Sequence, residues 1–323
     1  MKERLLRREF LQVAAAAGMA ASAEHTANSQ AAAPGRNSFR GLLCLFSKPV
    51  PQMNWSELAQ AAKSAGFEGI DLTVRRGGHV LPERVKEDLP KAVEAIRREG
   101  LEVPMITTEL LAADNPAAVP ILSTAGQFSI PFVKPGYYHY KFVDVRKELE
   151  EAGDRLRGLV DVAEKYGVQV GYHNHAGYIG APVWDMVKVM DTLDPKWAGY
   201  YFDLQHATGE GGIAGWKIDA LLAMPRIKML AVKDMYWKKT ESGWSDTDCP
   251  LGQGMCRYRE FLKMCASGGF HGPISLHIEY EIPGVSSREG IALTRAKADN
   301  VMTAAKRDLD YLKSVIGEAY REA

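Results

Sequence analysis

Two histidines stand two residues apart in the stretch VQVGYHNHAG, at His173 and His175. Side chains two apart on an extended strand share a face. Both imidazoles would therefore leave one side of a strand, as a hydrogen-bonded core pair or as a metal or acid–base site. The same spacing recurs in ISLHIEYE, at His277 and Glu279. FDLQH offers Asp203 and His206, VKD offers Lys233 and Asp234, and VKPGYYHY offers Lys134, Tyr137 and His139. GIDLTVRRGGHV adds Asp71, Arg75, Arg76 and His79. Imidazoles combined with carboxylates suit a divalent ion such as Mn²⁺, Fe²⁺, Co²⁺ or Zn²⁺. A histidine with a near-neutral pKa also suits proton transfer. Each residue has a plainer reading: Asp203 as a helix cap, Lys233–Asp234 as a salt bridge, His277 as a core histidine.

The elements that would gather these residues repeat along the chain. An amphipathic helical pattern, a glycine and a short apolar strand follow one another at 57–74, 92–110, 159–175 and 261–280. The glycine falls where each helix must stop, a role its left-handed dihedrals suit. Eight strands are expected, at 39–47, 69–74, 102–110, 132–138, 169–175, 197–206, 227–235 and 274–281. Alternating βα units imply a parallel sheet with right-handed crossovers. Eight of them, with no nucleotide-binding glycine fingerprint after the first strand, predict an α/β fold, a single (β/α)₈ TIM barrel. The Gly252-x-Gly254 pair follows strand seven and is not that fingerprint. Active sites of such barrels lie at the C-terminal strand ends. Six of the eight histidines, all but His25 and His271, fall at those ends.

The chain has 323 residues, with 40 Lys and Arg against 40 Asp and Glu. Zero net charge argues against a nucleic-acid partner, because polyanion binding needs clustered excess cations. The N-terminus carries Arg7-Arg8 before Phe10-Leu11, an Ala-rich run, and Ala21-Ser22-Ala23 as a cleavage form. Residues 1–23 read as a signal peptide of the twin-arginine type, too short for a mature membrane anchor. Residues 24–37 read as a flexible tether and 38–323 as the barrel. An exported protein, periplasmic or extracellular, is expected, with no membrane attachment after signal removal. Four cysteines match no zinc or redox spacing, and a Cys249–Cys256 pairing stays open.

The stretches GFEGIDL, YHNHAG, FDLQH, VKD, PLGQG and GPISLHIEYE together resemble the xylose isomerase-like superfamily of TIM barrels, the sugar isomerase/epimerase group, over roughly residues 38–320. That resemblance implies a metal held by Glu, Asp, His and Glu from strands five to eight. By position this chain supplies His173, Asp203, Ala231 and His277, with Glu279 two residues on. His173, Asp203 and His277 are the expected ligands of a divalent metal (Mn, Fe, Co, Zn or Mg). An ion nearer the mouth, on His175 and Glu279, and a branch without metal are the alternatives. His206 matches a substrate-binding histidine of the group, and His79, Tyr137 and Trp237 are further expected substrate contacts. The activity implied is a metal-assisted carbohydrate isomerase or epimerase that abstracts a proton next to a sugar carbonyl. Glu279 is the expected base, His175 an acid or base, and the ion or Lys233 the stabiliser of the enediolate oxygen. A keto-sugar or 3-keto-glycoside lyase or dehydratase of the same fold, or a non-catalytic sugar-binding protein, is the alternative. An abasic-site endonuclease fits the superfamily but not the neutral charge or the export signal. The partner expected is a small-molecule sugar; the oligomeric state stays open, a homo-oligomer included.

Overall fold

The computed structural model describes residues 38–282 and 295–323. The signal segment and tether expected over 1–37 lie outside the described residues. Eight parallel strands close into a barrel: β1 (Leu43–Phe46), β2 (Gly69–Thr73), β3 (Glu102–Thr107), β4 (Phe132–Lys134), β5 (Gln169–His173), β6 (Ala198–Asp203), β7 (Ile227–Val232) and, last in the chain, β10 (Ile274–Leu276). The ring runs β1-β10-β7-β6-β5-β4-β3-β2 and closes through β1 on β2. It is a single (β/α)₈ barrel, as the repeat predicts. The strands are buried on both faces, which is why they read as apolar runs rather than alternating ones.

The helices are α1 (Trp55–Ala65), α2 (Val85–Arg98), α3 (Ala118–Gln127), α4 (Val145–Lys165), α5 (Val187–Met190), α6 (Leu204–Ala223), α7 (Tyr258–Ser267) and α8 (Arg295–Glu322). The start of α1 shows why the pattern is legible. Asn54 caps the Ser56 and Glu57 amides while Glu57 reaches back to the Asn54 amide, a reciprocal capping box. Gly66 ends it at φ 95°, where a side chain would be strained. The layer between helices and barrel is continuous apolar packing that includes Leu58, Val93, Leu156 and Phe261. Inside the barrel a separate layer joins Met105, Tyr201, Met229 and Ala231. Ala231 is small beside the Tyr201 ring of this layer. Gly171 is also required there: a Cβ would lie 2.1 Å from Met229 Cε.

The structure departs from the expected outline between β7 and α7. β7 ends at Val232, and the chain folds outward into an antiparallel hairpin, β8 (Asp234–Thr240) and β9 (Gly243–Cys249). The Asp234 carboxylate accepts the amides of Met235, Gly252, Gly254 and Cys256 at 2.9–3.1 Å, pinning the hairpin and the following PLGQG loop at their common neck. Lys233 and Asp234 thus do not pair with each other; each has separate work. The four cysteines are free thiols. Among the described residues no helix is long and apolar enough to cross a membrane.

Candidate active site

Asp203 ends β6 and begins α6, and its two oxygens face different ways. Oδ1 accepts the amides of Gln205 (2.8 Å) and His206 (3.2 Å), the helix-cap role anticipated for it. Oδ2 lies 3.1 Å from His173 Nε2, 3.5 Å from His206 Nε2 and 3.8 Å from Lys233 Nζ. The first turn of α6 carries His206 back over the carboxylate, since positions three apart stack on a helix. Register places the end of β5 beside β6, His173 opposite Tyr201. Asn174 locks the junction: its Nδ2 donates to the Asp203 carbonyl at 3.0 Å and its Oδ1 accepts the Asp203 amide at 2.7 Å.

His173, Asp203 and His206 form a compact donor set, one ligand atom from each lying within 4.8 Å of the others. All three are buried, and His206 Nε2 has no hydrogen-bond partner although enclosed. A buried imidazole nitrogen without a partner costs free energy unless something binds it. The arrangement is a possible metal site of His/Asp/His type, and it fits the borderline ions that accept nitrogen and oxygen together. Tyr137 Oη sits 2.9 Å from His173 Nδ1, so an Nδ1–H donated to Tyr137 would leave Nε2 free as a ligand.

The site extends into a cavity of about 200 Å³ at the C-terminal mouth of the barrel, lined by Tyr137, His173, His175, Lys233, His277 and Glu279 among others. Glu279 is gripped at both oxygens, by Lys233 at 2.7 Å and Lys48 at 2.6 Å. Burial would raise its pKa, but the two ammonium groups outweigh that and hold it well below the usual carboxylate range. Burial opposes the charge on Lys233, yet Glu279 and Asp203 raise its pKa, so it stays cationic. The His175 Nδ1–H donates to the Ala176 carbonyl at 3.0 Å, leaving Nε2 with a free lone pair. Burial and then Lys233 pull the His175 pKa down to about 4, so it is neutral near pH 7. Burial above all also lowers His173 and His206.

Other residues singled out in the sequence lie apart from the donor set. His277 is deeper. Its Nε2 sits 2.9 Å from Tyr201 Oη, which donates to Asp71, and its ring stacks on Phe46 with centroids 4.1 Å apart. His277 therefore lines the cavity floor and stands outside the His/Asp/His group, while His206, expected on the substrate, belongs to it. His79 packs behind the rim, bonded to Thr73, and does not line the cavity. Trp237 stands 40% exposed on the hairpin, also away from the cavity lining. Arg76 is exposed as well. His139 packs edge-on against Tyr178.

Sequence reasoning gave no role to Asn174, Lys48 or Tyr201, and it offered Asp71 at the rim, whereas Asp71 lies deeper. Asp71 accepts from Thr107, Tyr201 and Ser275, and burial raises its pKa to about 6. The signal for Asn174 was its place between two histidines, on the other face of the strand end. Nothing in the spacing marked Lys48, which comes from the loop after β1.

An eight-stranded parallel barrel with imidazoles, carboxylates and a lysine gathered at its C-terminal mouth defines the class of TIM-barrel proteins with a mouth-located polar site. The chain belongs to the xylose isomerase-like TIM barrel family, whose model matches residues 59–313. It is 29% identical over 113 residues to an inosose dehydratase of Bacillus anthracis, 35% of this chain and 36% of that one. An uncharacterized protein of Methanocaldococcus jannaschii is 24% identical over 162 residues, 49% of this chain and 53% of that one. The chain thus spans about half or less of the length of these curated relatives. In fold it resembles D-psicose 3-epimerase from Clostridium cellulolyticum H10, with D-tagatose, at a TM-score of 0.64 and 12% identity, covering 85% of this chain and 99% of that one. The IOLI protein with a bound zinc atom superposes at a TM-score of 0.66 and 15% identity, covering 86% and 98%.

Proposed function

We propose that this protein is a metal-assisted sugar isomerase or epimerase that moves a proton at the carbon next to a sugar carbonyl. The observation that carries this is the buried His173–Asp203–His206 donor set, with its unpartnered His206 Nε2, beside the Lys233 ammonium. A divalent ion on those three ligands would supply Lewis-acid polarisation of a carbonyl oxygen. The chain's own residues supply the rest. Lys233 donates to the oxygen that becomes an enediolate. Glu279 holds Lys233 in place and charged, a role its two ammonium partners favour over that of free base. The His175 Nε2 lone pair takes the proton. Tyr137 positions His173 through its hydroxyl, while its ring is engaged by Lys134 and Tyr178. The epimerase and zinc-bound neighbours of the same fold support the reading. Elimination from a keto-sugar begins with the same proton abstraction, and the inosose dehydratase relative favours it as the second reading. The twin-arginine pattern of residues 1–23 supports action in the periplasm or outside the cell on an unphosphorylated sugar.

The test pairs elemental analysis of natively purified protein with NMR detection of solvent deuterium entering the carbon next to the carbonyl. About one equivalent of divalent metal is expected. His175→Gln should slow exchange by about 10²–10⁴-fold, the usual weight of general base catalysis. A new epimer as product supports the first reading, a dehydrated enone the second. Protein without stoichiometric metal sinks the metal role. Sugar binding without exchange makes the protein a binding protein and not an enzyme.

A further inference from the structure

The charges lining the mouth cavity do not balance. Among the described residues Lys48, Arg75, Lys134 and Lys233 line it, against one carboxylate, Glu279. Lys48 and Lys233 are both engaged by Glu279. Arg75 and Lys134 form no ion pair with a described residue. Lys134 is 2% exposed, and its Nζ lies 3.3 Å over the centre of the Tyr137 ring. An aromatic face recovers part of the solvation a cation loses on burial, but less than a carboxylate would. Asp71 lies deeper and already has three donors from Thr107, Tyr201 and Ser275. Burial above all, then Arg75, draws the Lys134 pKa well down, and the Asp71 and Glu109 carboxylates offset this only in part. A second anion in the cavity would relieve this.

The barrel register says where that anion would sit. Thr73, Thr107 and Lys134 are successive partners on β2, β3 and β4, and Arg75 follows Thr73 by two residues. The free cations therefore share one wall. In the ring order β7 stands four strands from β3, directly across the axis, and Lys233 follows β7. Resting on the sugar-isomerising reading above, we propose that the substrate is a sugar acid. Its carboxylate binds Arg75 and Lys134 on the β2–β4 wall, and its carbonyl end faces Lys233 across the cavity. Carboxylate and phosphate share the anionic oxygens that these cations would recognise. The cavity of about 200 Å³ and the unphosphorylated substrate proposed above favour the carboxylate.

Isothermal titration calorimetry on the full chain, with D-glucuronate, D-glucose and D-glucose 6-phosphate as probes, tests this. Wild type should bind glucuronate about 10–100-fold more tightly than glucose, the weight of a charge-assisted hydrogen bond. Arg75→Gln and Lys134→Met should each remove most of that preference, lowering glucuronate binding far more than glucose binding. Arg75 is half-exposed at the rim, so its variant keeps the test valid if Lys134→Met fails to fold. Equal binding of glucose and glucuronate by wild type overturns the proposal, as does a preference that survives both substitutions. Glucose 6-phosphate binding more tightly than glucuronate overturns the carboxylate assignment. If none of the three sugars binds, the sugar reading itself falls, and this proposal with it.

Discussion

Asp203 offers a way to separate folding from chemistry at a single side chain, because its oxygens serve different partners. Asp203→Ala removes both functions. Asp203→Asn keeps an oxygen for the Gln205 and His206 amides, since Asn caps helices about as well as Asp, and removes the charge facing His173, His206 and Lys233. Loss of an N-cap costs about 0.5–2 kcal/mol, typically ~1. Loss of one partner from a buried ion pair costs about 3–5 kcal/mol. Lys233 keeps Glu279 at 2.7 Å, so the lower end of that range applies to both variants. The Ala variant should then be less stable than the Asn variant by about 1 kcal/mol, or about 2 °C in Tm for a domain of this size. Both should lose metal affinity by at least about 10–100-fold, the cost of disturbing even an outer partner of a ligand. Calorimetric melting in the presence of chelator reads the first quantity, and competitive zinc titration against a chromophoric chelator reads the second. Asp203→Asn binding zinc like wild type would refute the donor set. Equal melting of the two variants would refute the division of labour between Oδ1 and Oδ2.

Stability should fall on acidification below about pH 6.5 in metal-free protein. His175 and His79 have pKa values lowered to about 4 and His277 to about 3, chiefly by burial. The unfolded chain therefore binds protons there that the native one refuses, and stability rises with pH from about 4 to 6.5. Each such histidine adds up to about 1.4 kcal/mol per pH unit in that window. Asp71 and Asp185, raised to about 6, and Asp219, raised to about 7, all chiefly by burial, work in the opposite sense between their unfolded pKa and those values, so the net rise is smaller than the histidines alone would give. Glu279, held low by its ammonium partners, adds stability above its unfolded pKa that is lost only at lower pH. Urea denaturation at pH 7.5, 6 and 5 checks the sum; a flat profile over this range would contradict it. For export, Arg7→Lys with Arg8→Lys should leave the precursor in the cytoplasm, and mature protein still found outside the cytoplasm at wild-type level would refute the twin-arginine reading.

The barrel was legible because each βα unit carries its own punctuation. Buried parallel strands read as apolar runs, helices as amphipathic ones, and glycines such as Gly66 stop a helix where a left-handed residue is required. The hairpin of β8 and β9 was not legible. Most of its residues are exposed, so no burial pattern shapes KDMYWKKT or GWSDTDC into recognisable strands. The site was legible as a rim of histidines and carboxylates, but not in depth. Alternation along a strand says which face a residue takes, not how far down the axis it sits. His277 shares its face with Glu279, yet Tyr201 and Phe46 hold it on the floor. His206 joins the donor set because α6 begins at once after Asp203, the boundary that the helix-cap reading of Asp203 implied but that was not carried through to His206.

The Asp234 pin has a consequence beyond local order. One carboxylate gathers four amides from residues 235, 252, 254 and 256, so the two ends of a loop of about twenty residues are cross-fastened without a covalent link. Closing a loop at its neck removes most of the entropic penalty for changing what lies beyond it. The segment between Tyr236 and Asp248 is therefore a replaceable cassette: a lineage can lengthen, shorten or rewrite it while β7, Lys233 and the barrel stay in register.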